Sequence, residues 1–142
     1  MLYEIQLTTV AEEAYVALHE QAQSRFDAGQ YSHPAVLTFD EVQTAMIQTL
    51  PMNPYTSAWP MAGDLSYLWV LNLNSVTIVY VINDAKPTPA VIVHTIVRRK
   101  NDGAMRRWLA SRMDNGELTT VLQSLGIEPY LMRMQVNSRL VH

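Results

Sequence analysis

The stretch VTIVYVINDAKPTPAVIVHTIVRRK, residues 76–100, limits what this chain can fold into more than any other. Two apolar runs, Val76–Ile82 and Ala90–Val97, flank NDAKPTP, a connection rich in turn formers. Runs of that length and β-branched content, punctuated in that way, predict two antiparallel strands. The first run is apolar on both faces, which suits the buried centre of a sheet. The second closes on three consecutive cations, Arg98, Arg99 and Lys100. They mark an active site, a nucleic-acid contact or a solvated strand end.

The rest of the chain is arranged around that hairpin. LYEIQL, residues 2–7, alternates and predicts a short first strand. Thr9 and Glu12 form a capping box for a helix that starts at Val10. Ala11, Ala14, Tyr15, Leu18 and Ala22 then recur at helical spacing to about Ala28, where Gly29 is placed to end it. GQYSHPAVL reads as a loop. Thr38 and Glu41 make a second box, before a helix striped with Phe39, Val42, Met46 and Leu50 and stopped by Pro51. Residues 51–64 read as a loop whose Trp59 and Met61 turn back onto the core. A strand over Ser66–Leu73 and a turn at Asn72–Ser75 lead into the hairpin.

After Lys100, Asp102 is placed to cap a helix to about Met113, and Asn115 a short helix ended by Gly126. Tyr130, Met132, Met134 and Val136 alternate as in a final strand. The fold class is α+β: two N-terminal helices packed on an antiparallel sheet in the order β-α-α-β-β-β, with a C-terminal α-α-β extension. Residues 1–142 form a single domain, divided into a core over 1–101 and the extension over 102–142.

Composition excludes several functions. A chain of 142 residues, 49% hydrophobic and 16% charged, is globular and large enough for one buried core. Without cysteine it has neither thiolate metal sites nor thiol chemistry. No His and acidic residues stand at metal-ligand spacing, so no metal or cofactor is expected. No apolar run approaches the ~20 residues of a membrane span, and MLYEIQLTTV lacks the pattern of a secretory signal. A soluble, cytoplasmic protein with no membrane contact follows as the expectation.

Charge is unevenly spread. Residues 1–41 hold seven acids against Arg25 alone, whereas six of the ten basic residues fall between Arg98 and Arg112. Arg106 and Arg107 can extend the basic end of the last hairpin strand into a patch that grips phosphates without reading sequence. The competing reading is a polar strand end that leads into a capped helix. Trp69 and Trp108 offer stacking surfaces for bases, but their spacing suits core anchors better. Tyr80 lies in the central apolar strand and reads as core, and His94, between Val93 and Thr95, as a hydrogen-bonded structural residue.

This order of elements resembles the RelE/ParE superfamily of bacterial toxins over roughly residues 2–100. The resemblance is carried by YEIQLT, by Asn53–Pro54, by Gly63–Leu65, by IVYVIND at Ile78–Asp84 and by the strand that ends at Arg98–Arg99. It implies one of two activities: a metal-free ribonuclease that cuts mRNA on the ribosome, or a non-catalytic binder such as a DNA gyrase inhibitor. It also implies an antitoxin partner that wraps the chain. Nuclease members carry an arginine three residues before the strand tyrosine, where this chain has Thr77, and often end the last strand in His-Arg with a tyrosine soon after. Here that end reads Val97-Arg98-Arg99-Lys100. The resemblance carries over Arg98, or Arg99 if the register is off by one, and the two are taken as the catalytic or phosphate-contacting residues; the charge run, not the resemblance, adds Lys100, Arg106 and Arg107 as further nucleic-acid contacts. His94 shares the strand with Arg98 but stands about 13 Å from it, at roughly 3.3 Å per residue. A third reading pairs the basic patch with the acidic N-terminal helix of a second copy in a homodimer.

Overall fold

A computed structural model of the chain describes residues 2–55, 59–60, 68–84 and 87–99, and beyond them 103, 104 and 107. Its elements run β1 (Glu4–Leu7), α1 (Thr9–Asp27), α2 (Pro34–Thr44), a π-helical turn (Ala45–Thr49), a short α3 (Leu50–Met52), β2 (Trp59–Pro60), β3 (Trp69–Asn72), β4 (Val76–Asn83) and β5 (Ala90–Arg98). The fold is α+β as expected, two helices with a sheet of order β1-β5-β4-β3-β2. Pairing is antiparallel from β2 through β5. The exception is β1, which joins β5 in parallel. A chain that leaves β1 through two helices and three strands can return beside it in either direction, and local pattern does not say which.

β4 is buried along all eight residues and β5 along seven of nine, so the hairpin forms the interior of the sheet. The strands do not pair without interruption. Val79 lies opposite Thr95 and Tyr80 opposite Val93, so His94 is the extra residue of a β-bulge. Two bonds from Thr8 hold this irregularity. Its backbone N–H donates to the Val93 carbonyl at 3.1 Å, and its hydroxyl donates to the His94 carbonyl at 2.7 Å.

The same Thr8 oxygen caps α1 by accepting from the Ala11 N–H at 3.1 Å. The cap is thus one residue before the expected Thr9. At the other end Gly29, at φ 80°, donates to Phe26, and Gln30 donates to Arg25. That is the Schellman arrangement, and its positive φ explains the glycine.

The second helix starts four residues before the expected capping box. His33 caps it, with Nδ1 accepting from the Ala35 N–H at 3.0 Å, and Pro34 takes the first helical position. Residues 34–37, expected in a loop, are helical. Thr38 and Glu41 lie inside the helix, and the Glu41 carboxylate instead accepts from the backbone and side-chain amides of Asn74. Nor does Pro51 stop the helix. The chain widens into the π turn, where the Leu50 N–H reaches Ala45, and carries Pro51 in α3. Widening relieves the clash that a proline ring makes with the carbonyl four residues earlier. Residues 59–60, expected in a loop, pair with Trp69 and Val70.

The main core joins Ala11, Val42, Met46 and Leu50 to the apolar residues of β3, β4 and β5. A smaller cluster of Ala22, Val36 and Phe39 packs between the helices. Residues 103, 104 and 107 are helical, as expected after Asp102, and the remainder of the expected extension lies outside the described residues. Met61 and Trp108 lie outside them too.

Thr8→Ala removes the α1 cap and leaves the buried His94 carbonyl without its donor. A loss of about 2–4 kcal/mol in urea denaturation is expected, most of it recovered in Thr8→Ser, which keeps the oxygen.

Candidate functional site at the end of strand β5

Arg98 is the last residue of β5, opposite Val76, and its side chain is exposed. Arg99 follows, also exposed, but its surroundings differ. Its N–H donates to the Ser75 carbonyl at 3.0 Å, and its Nη1 donates to the Leu73 carbonyl at 3.2 Å. The guanidinium of Arg99 therefore clasps the β3–β4 turn, while Arg98 is among the residues that line a groove between the helices and the sheet. Arg107 is exposed on a helical residue. Lys100 and Arg106 lie outside the described residues.

His94 does not join this end. It is 1% exposed, inside the sheet at the bulge. Thr77, where nuclease relatives are expected to carry arginine, is fully buried and donates its hydroxyl to Asn72 Oδ1 at 2.7 Å. Trp69 is a core residue at 6% exposure. Among the described residues no cluster of three or more His and acidic side chains is placed to hold a metal.

Tyr80 is fully buried, and its hydroxyl donates to the Pro54 carbonyl at 2.6 Å. Burial disfavours the phenolate and pushes the phenol well above its ordinary range. Four residues on, the Asp84 carboxylate accepts from the hydroxyls of Tyr3 at 2.8 Å and Tyr55 at 2.5 Å. Tyr55 meets Trp69 edge to face at 5.1 Å. Asn53, in the extended conformation that a following proline requires, accepts from the Tyr55 N–H through Oδ1. Asn53–Pro54, Tyr80 and Asp84, which carry the sequence resemblance, thus converge on one network. It fastens β1 and the loop after α3 to the end of β4. The sequence shows these residues as separate short motifs, and the contact between them comes from the register of the sheet.

No family model matches the chain, and no curated protein matches it by sequence. Solved structures do. The RelBE2 toxin–antitoxin complex of Mycobacterium tuberculosis aligns with a TM-score of 0.50 at 18% identity, over 70% of this chain and 100% of that one. This chain shares the fold of a chain in that complex. A conserved hypothetical protein of Helicobacter pylori aligns at a TM-score of 0.40 and 16% identity, over 70% of this chain and 96% of that one. A likeness at this identity shows the fold alone.

Tyr80→Phe leaves the Pro54 carbonyl without its donor and should cost about 1–3 kcal/mol. The pH dependence is specific. Because the folded-state value is raised, the unfolded chain releases the phenol proton first, so stability present below pH 10 is lost as the pH rises above it. Urea midpoints measured from pH 8 to 11 should fall more steeply for the wild type than for Tyr80→Phe.

Proposed function

We propose that this chain is the toxin of a toxin–antitoxin module and that it inhibits translation by holding RNA at the basic end of β5. The observation that carries this reading is the fold, which spans the whole of a toxin chain found in complex with its antitoxin. Arg98 and Arg99 are the phosphate contacts, with Lys100, Arg106 and Arg107 extending the positive field along the RNA. Planar guanidinium groups suit this task, since each offers paired donors to phosphate oxygens. Residues 1–101 act as the toxin core, to which 102–142 are an addition. The partner is a cognate antitoxin, and the place of action is the cytoplasm.

Cleavage of mRNA without a metal needs a base for the 2′-hydroxyl, cations for the phosphorane and an acid for the leaving oxygen. Arg98 and Arg99 serve the second of these requirements. A second reading, a non-catalytic binder on the same fold such as a gyrase inhibitor, is favoured by one observation. Thr77, at the position where nuclease relatives are expected to carry arginine, is buried and hydrogen-bonded within the protein.

Induced expression should arrest growth, and Arg98→Gln/Arg99→Gln should weaken RNA binding roughly ten- to a hundredfold and relieve the arrest. Cut mRNA in the arrested cells supports the nuclease, and intact mRNA with altered plasmid supercoiling supports the gyrase inhibitor. Normal growth with a folded wild-type protein contradicts the toxin reading.

A further inference from the structure

A groove of about 470 Å³ lies where α2 and the π turn face the end of β3 and the turn that follows it. Its apolar lining comes from Ala45 and Leu71, both buried, and from Leu73. Thr44 adds a hydroxyl, and Asp40 and Glu41 are the charged residues among those described that line it. None of these residues lines the groove beside Arg98. The two acids are not equivalent. The Glu41 carboxylate accepts from the Asn74 N–H at 3.0 Å through one oxygen and from the Asn74 side-chain amide at 2.6 Å through the other. The Asp40 carboxylate, on an exposed residue, makes no hydrogen bond or ion pair with the described residues.

We propose that this groove binds a small organic cation, a primary ammonium group on an aliphatic body, and that the ammonium pairs with Asp40. Volume, wall chemistry and charge each narrow the occupant. The volume falls within the ~300–1,000 Å³ of small-molecule clefts. Apolar walls favour an aliphatic body, and they disfavour a compound charged along its length, whose inner charges would lose water without gaining a partner. Two carboxylates make the local field negative and turn away phosphates. Arg99, bonded to the Leu73 carbonyl at 3.2 Å, stands beside the groove and offsets one of those charges. Two acids against one guanidinium leave a single negative charge, which calls for a single positive one. Both Glu41 oxygens already accept from Asn74, so the carboxylate left for the ammonium is that of Asp40. The inference stands on the groove and its charge alone and does not depend on the toxin reading.

The test is an NMR titration of the full chain at pH 7 with hexylamine, which is protonated there, beside hexanol and spermidine. Saturable shifts at Ala45 and Leu71 are expected with hexylamine. Weaker ones are expected with hexanol, which keeps the tail and lacks the charge. Asp40→Asn, a change at an exposed side chain, should lower hexylamine affinity roughly five- to tenfold and leave that for hexanol unchanged. Glu13→Gln, which removes a charge of the same sign from an exposed position on α1, should leave hexylamine affinity as it is. Thr44→Trp, which puts an indole at an exposed lining position, should block both ligands. Absent shifts at Ala45 and Leu71, or hexylamine affinity unchanged in Asp40→Asn, overturns the proposal. So does an equal loss in Glu13→Gln, which would trace the attraction to net charge. Saturable binding of spermidine without that of hexylamine overturns it too, since the acids would then be an unspecific contact for polycations.

Discussion

Thr8 ends β1, caps α1 and supplies two hydrogen bonds to the β5 bulge, and the placement of every other element depends on that junction. One hydroxyl accepts from Ala11 while it donates to His94. The helix cannot rotate about its start, nor β5 slide along β1, without breaking one of the two. Thr8 is 4% exposed, so a broken bond there is not replaced by water. The bulge it secures changes the register between β4 and β5, and with it the face that the residues up to Arg98 present.

A second set of polar bonds, buried or part-buried, gathers around the start of β1 and the end of β4. Asp84 takes the hydroxyls of Tyr3 and Tyr55, and Tyr80 gives its hydroxyl to Pro54. Tyr3 also donates its N–H to Pro51, so the chain start, the end of α3 and the end of β4 meet at one place. Those residues carry the resemblance to RelE/ParE toxins, yet each is engaged in architecture. A short motif shared with a family of toxins can be preserved by the demands of folding while the chemistry is placed elsewhere.

The hairpin at residues 76–98 was legible in the sequence because continuous apolar runs of that length have few other uses. Gly29 was legible for a similar reason, since a glycine at the end of a helical stripe points to a positive φ. Three features were not. Thr8 and Thr9 are adjacent and chemically equivalent, so only the backbone decides which one caps. His33 is an uncommon cap, and Pro34 after it reads as a loop residue until its place at the first helical position is seen. The parallel pairing of β1 and the Thr8 bonds to the bulge at His94 join residues more than eighty positions apart, which local periodicity does not register. Of the site, the cations were visible as a run. That Arg98 borders a groove while Arg99 clasps a turn was not, because alternation along a strand says nothing of what lies beyond its end.

The central claim is that the family-like residues hold the fold and that the arginines at the end of β5 act on the target. Growth arrest by Tyr80→Phe, measured well below its melting midpoint and at wild-type protein levels, tests it most directly. The account predicts arrest as strong as that of the wild type, since a hydroxyl bonded to the Pro54 carbonyl takes no part in the chemistry. Loss of arrest in a variant that stays folded would contradict it and give Tyr80 a part in the activity.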